Sequence, residues 1–88
     1  MTAPLEPTEI PIPPGQVAVR AEVSGTVWQV VLHPQAVVHA GEKLMIIEAM
    51  KTEIEVLSPM DGTVAQILCQ PGQVVIAGQM LLLLIPAA

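Results

Sequence analysis

The 88-residue chain has few aromatic and few basic side chains: one Trp, no Phe or Tyr, and three Lys or Arg against eight Asp or Glu. A surface with this charge does not attract phosphate backbones, and one aromatic side chain provides no platform on which bases can stack. The composition therefore argues against nucleic-acid binding. The length allows one domain at most, with little room for an enclosed catalytic cleft.

Cysteine and long apolar runs are also scarce. Cys69 is the only cysteine, which excludes an internal disulfide and is typical of a reducing compartment. The N-terminus lacks the basic and apolar regions of a secretory signal, and the longest apolar run, Met80 to Ile85, is too short to cross a bilayer. We therefore expect a cytoplasmic protein with no membrane association.

Groups that carry catalysis or bind metals are nearly absent. His33 and His39 are the only histidines, and no further ligands stand at a metal-binding spacing. No serine–histidine–acid set and no phosphate-binding loop is present. We expect no metal site and no catalytic residue, so that the chain is not itself an enzyme.

Proline is abundant at one end of the chain. Five of the nine prolines lie in the first sixteen residues, and proline fixes φ and has no amide donor. We interpret residues 1–16 as a flexible, Pro-rich tether and residues 17–88 as the folded domain. A frayed terminus without function is the alternative for the first segment.

The folded part contains an internal repeat with an offset of 37 positions. Gly25-Thr26-Val27 recurs as Gly62-Thr63-Val64, and ten of the 24 ungapped pairs that start at Gly25 are identical. Cys69 aligns with Leu32, which indicates a packing position for its side chain. Trp28 aligns with Ala65, which indicates a partly exposed cover over the core, with a contact for a partner enzyme as the alternative. The chain therefore consists of two similar halves.

Each half has short runs of alternating apolar residues separated by Gly and Pro, which is typical of strands joined by tight turns. Two equivalent halves predict an all-β fold, a flattened antiparallel barrel or sandwich with a pseudo-two-fold axis. We expect the repeated glycines Gly25, Gly41, Gly62 and Gly78 to occupy turns with positive φ. The predicted strands are Val17–Val23, Val27–Val31, Leu44–Glu48, Glu53–Leu57, Val64–Leu68 and Leu81–Ile85, with short bridging strands at Val37–Val38 and Val74–Val75.

One chain reversal lies between the two copies and lacks the usual turn residues. The segment from Glu48 to Glu53 reads Glu-Ala-Met-Lys-Thr-Glu and has no Gly, Asn, Asp or Pro. A departure from local rules is a reason to suspect function. The chain ends of the folded part fall on the other side of the pseudo-symmetric body, so Lys51 is predicted to stand at a protruding tip.

The sequence Glu48-Ala49-Met50-Lys51 resembles the attachment motif of biotin carboxyl carrier domains, in which the lysine of Ala-Met-Lys receives biotin through an amide bond. The stretch from Ser58 to Val64 also resembles the Pro-x-x-Gly segment of that family, and the similarity extends from about Val19 to Pro86. Thr52 departs from the family, which most often has a second methionine there.

The resemblance implies a barrel-sandwich hybrid fold and a cofactor, biotin, covalently bound to Lys51. Ala49, Met50 and Thr52 complete the attachment motif, and Glu48 and Glu53 are candidates for recognition by the ligase, with ordinary solvent-facing strand residues as the alternative. The implied partners are a biotin protein ligase, a biotin carboxylase and a carboxyltransferase, between which the carrier moves CO₂.

Two other functions are compatible with a fold of this kind. A lipoyl carrier domain shares the hairpin lysine but usually has Asp before it and Ala or Val after it, unlike Met50 and Thr52. A non-catalytic barrel-sandwich interaction module normally lacks the lysine. The ungapped repeat predicts a domain without the protruding thumb of some carriers. The segments Val27–Val30 and Leu68–Gln73 resemble carriers of the urea carboxylase type.

Overall fold

A computed structural model describes residues 9–87, and this part of the chain consists of eight strands and no helix. Every predicted segment forms a strand, although the first ends at Arg20 and not at Val23. The strands are β1 (Val17–Arg20), β2 (Gly25–Val30), β3 (Val37–Val38), β4 (Lys43–Ala49), β5 (Thr52–Leu57), β6 (Gly62–Ile67), β7 (Val74–Val75) and β8 (Met80–Pro86).

The strands form two antiparallel sheets of four, in the orders β1-β8-β6-β3 and β5-β4-β2-β7. At the 37-residue offset of the repeat, β2, β3 and β4 correspond to β6, β7 and β8, respectively. At the same offset, β1 corresponds to the last four residues of β5. Each sheet therefore combines strands of both halves. The predicted all-β sandwich of two pseudo-symmetric halves is confirmed, and within residues 9–87 the first half has no thumb insertion.

The core lies between the sheets and is made of aliphatic side chains and sulfur. The central strands β4 and β8 bury four and five consecutive residues, respectively, because each is flanked by strands on both sides and covered by the opposite sheet. Cys69 is buried in this core, with its Sγ 3.7 Å from the Met45 Sδ, as predicted for a packing position. Burial raises the pKa of the Cys69 thiol above its ordinary value, so the thiol stays protonated at neutral pH.

The prediction of positive φ at the repeated glycines is correct for Gly41 and Gly78, whose φ angles are 85° and 92°. It is wrong for Gly25 and Gly62, which do not have positive φ. These two glycines are needed for close approach between strands: a Cβ on Gly62 would lie 2.5 Å from the carbonyl oxygen of Ile85, and one on Gly25 would collide with the carbonyl oxygen of Glu48.

Before β1, the side chain of Glu9 forms an ion pair of 2.9 Å with Arg20, and Gly15 lies in a turn with a φ of 81°. Half of the tether predicted for residues 1–16, residues 1–8, lies outside the described part, and its boundary stays a prediction. His33 and His39 are exposed. No group of metal-ligating side chains is found among residues 9–87, and the same residues hold no helix that could span a membrane.

Candidate functional site

The reversal between the two halves is a tight hairpin of β4 and β5. Ala49 pairs with Thr52, so that only Met50 and Lys51 form the loop. Their φ angles are 51° and 64°. Two consecutive left-handed residues are characteristic of a type I′ turn, whose twist matches that of the flanking strands. The pairing of the strands thus dictates a turn that the residues themselves do not favour.

The turn projects its side chains into solvent. Met50 is 97% exposed, and Lys51 is exposed as well. The two other basic residues are held by carboxylates: Lys43 lies 2.8 Å from Glu55, and Arg20 pairs with Glu9. Within residues 9–87, the amine of Lys51 forms no ion pair. It stands at the apex of the reversal, as predicted, and is accessible from outside.

Two carboxylates flank the turn. Glu48 and Glu53 are directly opposite each other in the β4–β5 pair, one position below Ala49 and Thr52, and both side chains are exposed. Like charges at directly opposed positions are destabilising. The hairpin end therefore combines a free amine with a pair of carboxylates that does not favour folding.

Within residues 9–87, the positions equivalent to these groups at the opposite end of the pseudo-symmetric body hold other residues. At the 37-residue offset, Glu48 aligns with Ile85 and Glu53 with Gln16. The position of Lys51 is taken by Pro14, which has no ionisable side chain. Within the described residues the two ends also differ in connection, since a two-residue turn joins β4 to β5, whereas β1 and β8 are the first and last strands.

A second feature, which the sequence did not reveal, is an open groove between the sheets. It encloses about 380 Å³ between β1 and β5, the edge strands on the same side of the sandwich. Val19 and Val56 contribute to its apolar walls, and Arg20 and Glu55 to its polar rim. Sequence periodicity indicates which residues are apolar but not which strands lie at the sheet edges, so no local signal marks this groove.

In chemical terms, the hairpin end can offer one nucleophilic amine to an acylating enzyme. Its apex position leaves room for a protein to surround it, and nothing in the described residues covers it. A long acyl group on this amine would be carried on a flexible lysine stem beyond the body. The fold and the site together define a small β domain that displays a single lysine at the apex of a hairpin.

Comparison with known proteins agrees with this class. The model of the biotin/lipoyl attachment family, described as "Biotin-requiring enzyme", matches residues 11–84. The chain belongs to this family. No sequence among the curated proteins matches the chain significantly.

Solved structures with the same fold come from both branches of the family. A single-chain, multi-domain long-chain acyl-CoA carboxylase matches 93% of the chain with a TM-score of 0.87 and 34% identity. The urea carboxylase of Kluyveromyces lactis matches 90%, with a TM-score of 0.77 and 33% identity. The lipoyl domain of the 2-oxoglutarate dehydrogenase complex of Azotobacter vinelandii matches 70%, with a TM-score of 0.61 and 34% identity.

The protein covers very different fractions of these three matched chains. The protein spans only 8% of the acyl-CoA carboxylase and 7% of the urea carboxylase, but 78% of the lipoyl domain. The chain is thus a biotin/lipoyl attachment domain that resembles a small part of two carboxylases. Since the two carboxylases match with nearly equal identity, the urea carboxylase type stays a prediction.

Proposed function

We propose that this chain is a biotin carboxyl carrier domain and that Lys51 is its attachment residue. The observation that carries the proposal is the exposed amine at the apex of the type I′ turn, between Met50 and Thr52. The membership of the family and the likeness to two carboxylases support it. Met50, fully exposed beside the amine, supplies an apolar contact for a biotin protein ligase.

The geometry determines what the chain and what the ligase would each contribute to the acylation of Lys51. A lysine amine has to lose its proton before it can act as a nucleophile. In the described part of the chain no residue pairs with the Lys51 amine, so the ligase has to supply both the activated acyl group and the means of removing the proton. The chain contributes the position of the amine, which the hairpin holds away from the body.

Biotin on Lys51 would supply a ureido nitrogen able to carry a carboxyl group from a biotin carboxylase to a carboxyltransferase. The domain itself contributes the tether, which raises the effective concentration of the carried group at both sites. In this proposal the protein is a non-catalytic cytoplasmic carrier. Lys51 holds the cofactor, Ala49, Met50 and Thr52 shape the turn, and Glu48 and Glu53 contribute to recognition by the ligase.

A lipoyl carrier is the second candidate, because a lipoyl domain is among the matching structures. The two functions differ in the group that ends up on the same lysine. Intact mass spectrometry therefore distinguishes them directly. Met50 and Thr52 favour biotin over lipoate, because lipoyl domains usually have Asp before the lysine and Ala or Val after it.

The test is co-expression with a biotin protein ligase or, separately, with a lipoate ligase, followed by intact mass and avidin binding. We expect one biotinyl group on the wild-type chain, none on Lys51→Arg, and one on the matched control Lys43→Arg, which removes the other lysine. Modification of Lys51 with lipoate alone would select the second candidate. A chain that neither ligase modifies would refute an attachment role.

A further inference from the structure

We propose that the groove between β1 and β5 is a docking site for the biotinyl group carried by Lys51 of the same chain. The proposal rests on the proposed function, because it requires biotin on that lysine. It assigns to the domain a second role, in which the cofactor alternates between an extended position and a resting position on the carrier's own surface.

The first argument is the asymmetry of the groove. Most of its lining residues form pairs related by the 37-residue offset, such as Val19 with Val56, as expected for a groove on the pseudo-two-fold axis. Three lining residues have no counterpart in the groove: Val23, Ile47 and Ile54. Their equivalents (Met60, Leu84 and Val17) do not line it.

All three unmatched residues lie toward the Lys51 hairpin. Ile47 and Ile54 form a pair two positions below Ala49 and Thr52. Val23 lies two residues before Gly25, whose backbone packs against Ile47 and Glu48. The groove therefore extends from the symmetry axis toward the end that carries the amine, and does not extend toward the opposite end.

The second argument is reach. Ile54 follows Lys51 by three residues, a distance of about 10 Å at the rise of a strand. A biotinyl-lysine side chain spans about 14 Å from its Cα to the bicyclic ring when extended, at standard bond lengths. A partly bent arm therefore brings the ring to the hairpin end of the groove.

The third argument is chemical fit. The groove volume of about 380 Å³ lies at the lower end of the range for small-molecule sites, roughly 300–1,000 Å³. Its lining is mixed: aliphatic side chains such as Val56 and Leu57, the latter 48% exposed, alternate with charged ones. The edge strands also present backbone N–H and C=O groups that are not used within the sheets. These match a bicyclic ring with an apolar face and a ureido group that both donates and accepts hydrogen bonds.

Docking of a tethered group does not require a strong site. A short flexible tether gives an effective concentration in the millimolar range, so a site with a millimolar Kd is occupied about half of the time. Such a balance leaves the arm free to reach partner enzymes. It also withdraws the apolar part of the ring from water between encounters.

The test compares the ¹⁵N-labelled domain before and after biotinylation by NMR, with intact mass as a separate measure of attachment. We expect amide shifts in β1 and β5, together with contacts between ring protons and the methyl groups of Val23 and Ile54. Replacing Ile54 in the variant Ile54→Ala should reduce the shifts in the groove at least twofold. The matched control Val17→Ala, at the equivalent position outside the groove, should preserve them.

Ile54 is half-buried, so its replacement also affects packing. Leu57 is an exposed residue in the wall of the groove, and the variant Leu57→Ser therefore provides an independent test that we expect to reduce the same shifts. Shifts confined to residues 49–53 in a fully biotinylated domain would overturn the docking proposal and leave the carrier function intact. Equal losses in Ile54→Ala and Val17→Ala would also overturn it. A chain that takes up no biotin would overturn the proposed function and docking together.

Discussion

At the residue scale, Met50 and Lys51 adopt a backbone conformation that non-glycine residues rarely occupy. A left-handed conformation costs about 1–2 kcal/mol for a residue with a Cβ, and two such residues stand side by side at φ angles of 51° and 64°. Asn-Gly would relieve this cost in a type I′ turn. The second position cannot be glycine in a domain that needs an amine there, so the unfavourable turn is explained by the function proposed for Lys51.

The carboxylates beside the turn are a second residue-level cost, and they yield a prediction. Replacing Glu53 by Gln removes the repulsion across the Glu48–Glu53 pair, which should raise the free energy of unfolding by about 0.2–1 kcal/mol. If the pair steers a ligase, the same change should lower kcat/KM for biotinylation several-fold and weaken its dependence on salt. Denaturant unfolding and ligase kinetics measure the two effects.

The matched control is Glu55→Gln on the same strand, where the carboxylate pairs with Lys43. We expect this variant to be biotinylated at the wild-type rate, because Glu55 lies on the groove rim and not beside the turn. Unchanged kinetics for Glu53→Gln, or an equal loss for Glu55→Gln, would contradict a recognition role for the pair.

At the scale of single elements, the repeat provides two turns with the same backbone and different residues. Pro34-Gln35 and Pro71-Gly72 each bridge strands, and Gln35 and Gly72 have φ angles of 73° and 89°. The hydrogen bonds also correspond: the Gln35 amide donates to the Val64 carbonyl at 2.7 Å, and the Gly72 amide to that of Val27 at 2.8 Å. The first turn therefore bears a conformational cost that the second avoids.

This difference predicts opposite effects of exchanging the residues. Gln35→Gly should raise the free energy of unfolding by about 0.5–1 kcal/mol, because it removes the left-handed penalty and loses only part of that gain to chain entropy. Gly72→Ala should lower it by about 1–2 kcal/mol, although no atom lies within 4 Å of an added Cβ. Urea denaturation checks both, and a destabilised Gln35→Gly variant would show that the Gln35 side chain has a stabilising role.

Single strands and turns also differ in how well the sequence predicts them. Alternating apolar residues and the repeat predict all eight strands, and the absence of turn residues around Lys51 marks the hairpin to which we assign the function. The roles of Gly25 and Gly62 were predicted wrongly, because close approach between strands depends on tertiary pairing and leaves no local signal. The groove was missed for a similar reason, since edge strands are defined by the sheet order and not by their own residues.

At the scale of the whole molecule, the two halves share one core and cannot be separate folding units. Strand β8 of the second half pairs with β1 of the first half, and β2 of the first half pairs with β7 of the second half. The buried cluster likewise contains Val27 and Leu44 from one half and Val64 and Leu84 from the other. Interleaved sheets of this kind should unfold in a single cooperative transition.

A substitution in one half should therefore destabilise the other by the same amount. Leu84 in β8 is fully buried, so Leu84→Ala should lower the free energy of unfolding by about 2–5 kcal/mol. Trp28 in β2 is the only tryptophan and reports on the first half by its fluorescence. We expect its denaturation midpoint to fall together with that of the far-ultraviolet circular dichroism.

The neighbouring variant Ile85→Ala is the control, because Ile85 is 45% exposed and surface substitutions change stability by about 0.5 kcal/mol or less. A Trp28 transition that stays at the wild-type midpoint in Leu84→Ala, while the circular dichroism shifts, would show that the halves unfold independently. Equal shifts of the fluorescence and circular-dichroism midpoints would show that the two halves unfold together. Both halves would then stabilise the hairpin, since β4 and β5 form one edge of a sheet that packs on the common core.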